Sequence, residues 1–194
     1  MDRPPALHTH AMDNLQFIRD AMSRAGRFTA IPGWAGVIMG ASALATAAVT
    51  AHTNRPAQWT LWWIGDAAFA GVTALVGISR KAKRLQLSLL AAPAKRFALA
   101  YVPPLAAGGV LTIVFVANGL TSRLPGCWLL LYGVAITAAG TLSVRIVPVM
   151  GVMFMAFGAA AFATPPSYGN AFMAAGFGGL HIIFGVIIAR NYGG

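Results

Sequence analysis

Two ionisable residues, Asp66 and His181, stand inside long apolar stretches of the sequence. An aspartate within the hydrocarbon of a bilayer costs about 2.5–3.5 kcal/mol on insertion scales, so it is expected to face protein or water and to have a polar partner. An imidazole both donates and accepts hydrogen bonds, and it changes charge near neutral pH. These residue types therefore point either to a structural hydrogen-bonded pair or to a site that binds and releases a proton.

The apolar stretches themselves indicate a membrane protein. The chain has 194 residues, of which 58% are hydrophobic and 9% are charged, whereas a soluble domain usually carries about 25% charged residues. About 20 consecutive apolar residues are needed to cross a hydrocarbon core of about 30 Å. Six windows of this kind predict an all-α polytopic membrane protein with six transmembrane helices. The predicted spans are 31–51, 58–79, 97–117, 127–144, 146–163 and 171–189.

Lysine and arginine lie almost entirely on one side of these six spans. Twelve of the 14 fall before the first span, between the second and third, between the fourth and fifth, or after the sixth. Only Arg55 and Arg123 fall in the other loops. Because basic residues concentrate in cytoplasmic loops, both termini are predicted to be cytoplasmic. The net charge of +10 is then mainly a topology signal, so the predicted partners are the bilayer and its acidic inner-leaflet lipids rather than nucleic acid.

The segments outside the spans predict a tail and a surface helix. Residues 1–11 have no periodicity and are predicted to be a disordered tail. Residues 12–30 place Leu15, Ile18 and Met22 at helical intervals, which is typical of an amphipathic helix on the membrane surface. Residues 31–190 form the predicted single transmembrane domain, and residues 191–194 a short cytoplasmic tail.

Three of the spans begin with similar proline-containing sequences, AIPGWAG at 30–36, YVPPLAAGG at 101–109 and IVPVMGV at 146–152. Proline is tolerated in the first turn of a helix. Since these are the odd-numbered spans, the pattern predicts three consecutive helical hairpins in parallel repetition. Small residues four or seven apart let helix backbones approach closely in lipid. The predicted packing glycines are Gly36, Gly40, Gly133, Gly140, Gly151, Gly158 and Gly179.

Pro103 and Pro104 lie deeper in their span than the other prolines do. Consecutive prolines remove backbone N–H donors and leave carbonyls without partners, so the third span is predicted to kink or break there. Broken helices line substrate sites in transporters, although kinks are also common in ordinary membrane helices.

Asp66 and His181 are predicted to lie at similar depths. Both spans enter the membrane from the same side, and a rise of about 1.5 Å per residue places the two roughly 12 and 15 Å deep. A contact between them would satisfy both groups, either as a structural tie between the first and third hairpins or as a titratable site. Haem on His181 is not expected, because the candidate second ligands Met150, Met153 and Met155 are typical of packing. No other cofactor and no metal site is predicted, and Cys127 is interpreted as a small apolar residue.

Three segments resemble a family of small bacterial multi-pass inner-membrane proteins that has no assigned activity. They are FTAIPGWAGVIMGASAL at 28–44, LPGCWLLLYG at 124–133, and the stretch from VRIVPVMG to FGGLHIIFGVIIAR at 144–190. The resemblance extends over residues 12–194. It implies a location in the bacterial cytoplasmic membrane, and it assigns no catalytic residue.

Two functions are compatible with these features. The first is a small transporter or channel-like protein that moves a proton, an ion or a small solute past Asp66 and His181. The second is a non-transporting accessory, structural or sensor subunit, whose glycine-rich faces would dock partner helices or a second copy of the chain. An enzyme is a distant third alternative, and no catalytic residues are predicted.

Overall fold

The chain folds as a bundle of long helices. A computed structural model describes residues 12–15 and 27–193, and no strand occurs among them. Six helices in this part are long and apolar enough to cross a membrane, which confirms the predicted all-α architecture. They are numbered α1 to α6 in chain order. Their bounds are Gly33–Thr50, Pro56–Arg84, Ala92–Ala117, Leu124–Gly140, Ile146–Ala163 and Pro166–Tyr192.

The sixth helix changes its winding along its length. It begins with the 3-10 turn Pro166–Tyr168 and the α-helical turn Gly169–Met173, continues as the π-helix Ala174–Leu180, and ends as the α-helix His181–Tyr192. A π-helical segment bonds each N–H to the carbonyl five residues earlier, so the turn is wider, and such segments are frequent at functional sites. His181 lies directly after the widened part.

Contacts among the helix ends identify one face of the bundle. The Lys81 ammonium at the end of α2 donates to the carbonyls of Ile31 (2.8 Å), just before α1, and Tyr192 (2.9 Å), at the end of α6. The Phe28 N–H donates to the carbonyl of Leu142 (2.8 Å), between α4 and α5. The odd-numbered helices therefore begin, and the even-numbered helices end, on one side. Because most lysines and arginines of the sequence belong to its segments, we call it the basic face.

Glycines bring α1 and α6 into backbone contact. A Cβ atom built on Gly40 would lie 2.6 Å from the carbonyl oxygen of Gly178, and one built on Gly36 would lie 3.2 Å from Cα of Gly185. Neither position has room for an ordinary side chain unless the helices move apart. The packing role predicted for Gly36 and Gly40 is confirmed, and their partner is the last helix of the chain.

Glycines also bring α4 and α5 into close contact. A Cβ on Gly133 would lie 2.7 Å from the Gly151 carbonyl oxygen, one on Gly140 would lie 2.8 Å from the Pro148 nitrogen, and one on Gly158 would lie 2.6 Å from the Leu130 nitrogen. These predicted packing glycines are therefore confirmed.

Gly179 is the exception among the predicted packing glycines. A Cβ on Gly179 would meet no atom within 4 Å, whereas one on its neighbour Gly178 would lie 2.5 Å from the Leu44 side chain. The prediction for Gly179 was wrong because adjacent residues on a helix point about 100° apart. Only one of two neighbouring glycines can face α1.

The three predicted hairpins pair helices that are consecutive in the chain, but these are not the pairs with the most extensive contacts. The most extensive helix contacts are α4 with α5 and α1 with α6, while α2 lies against α1 and α3 lies against α4. The third predicted hairpin, α5 with α6, is not a principal packing unit. Close backbone approach at glycines decides which helices pair, and it favours α1 over α5 as the partner of α6.

Pro103 and Pro104 do not break their helix. Helix α3 is continuous from Ala92 to Ala117 and contains both prolines. The predicted break is therefore wrong, whereas the alternative of a kink stays a prediction. Each proline removes one N–H donor, and the remaining bonds keep the helix continuous. Membrane helices tolerate proline when local adjustments satisfy the freed carbonyls.

The N-terminal predictions fall largely outside the described residues. Residues 1–11 and 16–26 are not described, and Met12–Leu15 are helical. Residues 28–30 are not helical, so the predicted 12–30 helix does not extend over them. Phe28 (6% exposed) and Ala30 (0%) are instead buried in a small cluster with Ala82. At the other end, α6 continues to Tyr192, so the predicted 191–194 tail begins within the helix.

Candidate functional site

His181 lies in the centre of the bundle and is 5% exposed. Its Nε2 is 2.7 Å from the Tyr132 hydroxyl oxygen on α4, and its Nδ1 is 2.9 Å from the carbonyl oxygen of Phe177 in the π-helical segment. A carbonyl only accepts hydrogen bonds, so Nδ1 carries the proton in this contact. In the neutral ring Nε2 is then an acceptor, and the Tyr132 hydroxyl donates to it.

A second tyrosine packs against this pair. The Tyr101 ring on α3 meets the Tyr132 ring edge-on, with ring centroids 6.4 Å apart. The hydrogen bonds therefore run from the Tyr132 hydroxyl to the His181 imidazole and end on the Phe177 carbonyl.

Aromatic rings surround the hydrogen-bonded Tyr132 and His181 side chains on several sides. The Phe154 centroid lies 4.8 Å from that of Tyr132 and 5.2 Å from that of His181, and the Phe177 ring stacks on the imidazole at 6.0 Å. Such rings fill the space between α4, α5 and α6. The imidazole thus has protein partners on both nitrogens and a wall of rings around it, which favours a structural role.

The predicted contact between Asp66 and His181 is not formed. Tyr132 and Phe177 take both nitrogens of the imidazole, and the polar neighbours of the Asp66 carboxylate are Ser42 and Thr46 on α1. The prediction placed both residues at similar depth on helices that run the same way, but it could not know on which side of α1 each lies. The two polar residues belong to separate environments.

A haem does not fit at His181 for the same reason. Both imidazole nitrogens are hydrogen-bonded within the protein, so neither is free to bind iron. Of the methionines that the sequence offered as second ligands, Met150 is buried in the apolar core and Met153 is 40% exposed.

Asp66 lies in a groove between α1 and α2. The groove has a volume of about 580 Å³ and is lined by Ser42, Ala45, Thr46, Gln58, Leu61, Trp62, Gly65, Asp66 and Phe69. We call it the Asp66 groove. Asp66 is the only ionisable residue among these lining residues. Ser42 and Thr46 are four residues apart on α1, so both hydroxyl groups project from one side of that helix toward the carboxylate.

The two helices close together on the basic side of the groove. A Cβ atom on Gly77 of α2 would lie 2.7 Å from the Pro32 ring and 2.8 Å from the Ala35 side chain of α1. Gly77 is eleven residues beyond Asp66, about 16 Å along the helix axis. The Asp66 groove therefore reaches toward the face opposite the basic face, as far as Gln58, and ends before the Gly77 contact.

Asn170 holds the helices together at the opposite face. Its side-chain oxygen accepts hydrogen bonds from the Thr50 hydroxyl (3.0 Å) and from the indole N–H groups of Trp59 (3.0 Å) and Trp63 (3.3 Å). Its amide nitrogen donates to the Ala47 carbonyl (2.8 Å). One side chain on α6 thus ties together α1 and α2.

The sequence contained a signal for this contact that was not used. Trp59 and Trp63 are four residues apart, and residues at that spacing project from the same side of a helix. Two indole donors on one side need an acceptor when they are buried, and Trp63 is 3% exposed. Asn170, just before the predicted sixth span, was the available residue.

Lys81 is a second polar contact that the sequence reading missed. Besides Ile31 and Tyr192, its ammonium contacts the carbonyl of Gly193, and the residue is 6% exposed. The stripe of α2 that contains Asp66 and Gly77 continues four residues further to Lys81, which could have shown that this lysine faces inward. A lysine at the carbonyl end of α6 also complements the helix dipole.

Comparison of the chain with protein-family models, with curated proteins and with solved structures gave no match. The function is therefore inferred from the sequence and from the geometry of the site.

Proposed function

We propose that the protein is a multi-pass membrane transporter that carries a cation across the bilayer in exchange for protons at Asp66. The observation behind this proposal is the Asp66 groove, in which a carboxylate lies half-buried beside two hydroxyl groups and has no basic residue among the residues lining it. His181, the other half of the predicted pair, has no part in the proposed transport step.

The exchange follows from the cost of an unpaired charge in a membrane. A carboxylate in this setting is stabilised either by a bound proton or by a positive partner, and removal of both is expensive. A cation that enters the Asp66 groove therefore displaces the proton, and a proton that returns displaces the cation. The Ser42 hydroxyl donates to the Met39 carbonyl (2.8 Å), so its oxygen can accept from a carboxylic acid at Asp66. The Thr46 hydroxyl can either donate to a carboxylate or accept from a carboxylic acid.

The Gly77 contact closes one end of the Asp66 groove in this cycle. In the described arrangement the Asp66 groove stops where Pro32 and Ala35 of α1 meet Gly77 of α2. Transport requires a second state in which this contact opens and the other end of the groove closes. Helix α2 is suited to such a movement, because little of its surface is buried in the bundle.

The proposed membrane is the bacterial cytoplasmic membrane, with the basic face and both termini inside. The distribution of lysine and arginine supports this orientation, and the resemblance in the sequence implies the bacterial membrane. Near the basic end of α2, Leu75 and Val76 form a small groove beside Arg80 and Lys83. This combination suits the acyl chain and the charged headgroup of an acidic lipid.

Labelling with a membrane-impermeant maleimide in intact cells tests the orientation. Single cysteines placed at Thr53 and Lys83 report the two faces, while Cys127 is buried. Only the cysteine at position 53 is expected to react, and the reverse pattern would contradict the proposed topology.

Proton release from sealed vesicles tests the transport cycle. Purified protein is reconstituted with a trapped pH-sensitive dye, and gradients of inorganic and organic cations are applied in turn. At least one cation is expected to drive proton movement, and Asp66→Asn is expected to lower the initial rate by about tenfold or more. Tyr132→Phe is the matched control, because it also removes one polar group from the bundle interior but lies outside the Asp66 groove. Equal rates for Asp66→Asn and the unaltered protein would overturn the proposal.

The accessory-subunit function is the second candidate. It is favoured by the aromatic rings that fill the space between α4, α5 and α6, because a solute could then pass only along the Asp66 groove. However, six of the seven predicted packing glycines contact helices of this same chain, so they do not offer faces to a partner. If no cation drives proton movement through folded protein, the accessory function is the one retained.

A further inference from the structure

We infer that the cation taken up in the Asp66 groove is organic, an amine or quaternary cation with an apolar body that enters from the lipid. This inference rests on the proposed function and specifies its substrate class. Its basis is the volume of the groove and the chemistry of the residues that line it.

The groove is too large and too poor in oxygen for a metal ion. Calcium takes six to eight oxygen ligands and magnesium demands near-octahedral coordination. Only Ser42, Thr46, Gln58 and Asp66 bring side-chain oxygen to the lining. A volume of about 580 Å³ is instead in the range of sites for small organic molecules, about 300–1,000 Å³.

Two aromatic rings flank the carboxylate. Trp62 precedes Asp66 by four residues and Phe69 follows it by three, so all three project from one side of α2. Trp62 is 48% exposed and Phe69 is 50% exposed, and both line the Asp66 groove. The faces of aromatic rings attract a cation, tryptophan most strongly. A carboxylate between two such rings therefore binds a diffuse organic cation through charge and through contact with its apolar body.

The position of the groove determines how such a cation reaches it. Leu61, which also lines the groove, is 69% exposed on the outer surface of α2. In a bilayer this surface faces acyl chains, so a molecule dissolved in the membrane reaches Asp66 without crossing an aqueous entrance. A strongly hydrated inorganic ion has no favourable route of this kind.

Binding of tetraphenylphosphonium to the full-length protein in lipid nanodiscs tests the inference. Equilibrium dialysis with labelled tetraphenylphosphonium gives the dissociation constant. Asp66→Asn is expected to weaken binding by at least about tenfold and Trp62→Leu by about fivefold. Trp34→Leu is the matched control, because Trp34 is a similarly exposed tryptophan (57%) that does not line the groove, and it is expected to leave binding unchanged. Affinity is expected to fall as the pH falls, because protons compete for Asp66.

Neutral triphenylphosphine oxide separates binding from partition into lipid. If it binds as well as tetraphenylphosphonium, and if Asp66→Asn changes neither, the ligand is only dissolved in the membrane and the inference fails. Equal binding by the Trp62→Leu and Trp34→Leu variants would overturn the aromatic part of the site.

The vesicle assay distinguishes this failure from failure of the proposed function. Proton exchange that depends on Asp66 and is driven by sodium or potassium, but not by tetraphenylphosphonium, would leave cation transport standing and overturn the organic substrate class. Absence of exchange with every cation would overturn both.

Discussion

The two polar residues that the sequence placed inside the membrane lie in two different environments. His181 is enclosed by rings and has a hydrogen-bond partner on each nitrogen, whereas Asp66 lies half-buried in the Asp66 groove. Both satisfy the rule that a polar group in hydrocarbon needs a partner. The difference is that the partners of His181 are all fixed parts of the protein, while the carboxylate keeps an open side. Satisfied polar groups stabilise a membrane fold, and open ones can exchange ligands.

The same contrast distinguishes the helices around each site. Helices α1 and α6 meet through backbone contacts at glycines, as do α4 and α5, so the core around His181 has little freedom to rearrange. Helix α2 contacts α1 closely at Gly77 and reaches α6 through the indoles of Trp59 and Trp63. The Asp66 groove therefore has one wall, α1, in the closely packed core and one wall, α2, that buries little of its surface in the bundle.

The largest effect is expected where the two rigid helices meet. A Cβ atom on Gly185 would lie 2.8 Å from both the Gly33 carbonyl oxygen and the Val37 nitrogen. Because both neighbours are backbone atoms, Gly185→Ala must separate α1 from α6, and overpacking of this kind costs about 3 kcal/mol. Unfolding in mixed detergent, followed by circular dichroism, measures the loss. Both the core and the α1 wall of the groove are expected to be disrupted.

Gly179→Ala is the matched control for that substitution. It adds the same methyl group to the same helix, at a position where a Cβ meets no atom within 4 Å. Any loss of stability is expected to stay within about 0.5 kcal/mol. The higher helix propensity of alanine acts in the opposite direction. Equal destabilisation by the two variants would contradict the described pairing of α1 with α6.

A smaller effect is expected at the opposite face, where Asn170 connects the rigid core to α2. Asn170→Ala leaves the buried Trp63 indole N–H without an acceptor and removes the bonds to Trp59 and Thr50. Hydrogen bonds between membrane helices average about 0.6 kcal/mol, and an unsatisfied buried donor costs about 1–3 kcal/mol. We therefore expect a loss of about 2 kcal/mol in the same unfolding assay. Asn118→Ala, which removes only an exposed bond within one helix, is expected to cost less than about 0.5 kcal/mol.

Tryptophan fluorescence separates local from global effects in that experiment. Loss of the hydrogen bond to Trp63 is expected to shift the emission before any unfolding occurs. If Asn170→Ala and Asn118→Ala have equal stability, the Asn170 contacts do not join α2 to the core.

The sequence predicted the helices well because each depends on local composition. Predicted and observed bounds agree for α5, and α2 differs mainly by continuing past residue 79 into Lys81 and Lys83. Packing glycines were also recognisable, since a small residue repeated every seven positions marks a close helix contact. Six of the seven predicted ones make such contacts.

The arrangement of the helices around one another was not accessible in this way. Depth along a helix follows from residue number, so Asp66 and His181 were correctly expected well within their helices, but the neighbour of each depends on which helix lies beside it. The partner of His181 is Tyr132, which the sequence presented only as one aromatic residue in an apolar span. Its hydroxyl group becomes informative when α4 is known to face α6.

The smallest expected effect gives the clearest test of the contrast between core and groove. Tyr132→Phe keeps the ring that packs on Phe154 and removes the hydroxyl that donates to His181. The imidazole Nε2 is then left without a donor in a sealed site, which is expected to cost about 1 kcal/mol in the unfolding assay.

Asp66→Asn is expected to give the reverse result. The amide keeps the size of the carboxylate and can still bond with Ser42 and Thr46, so stability is expected to change by less than about 0.5 kcal/mol. The initial rate of cation-driven proton movement is expected to fall by about tenfold or more. A stable Tyr132→Phe protein with altered transport would mean that the core takes part in the transport cycle. A strongly destabilised Asp66→Asn protein would mean that the aspartate is a structural contact, as His181 is, and the contrast between the two environments would no longer hold.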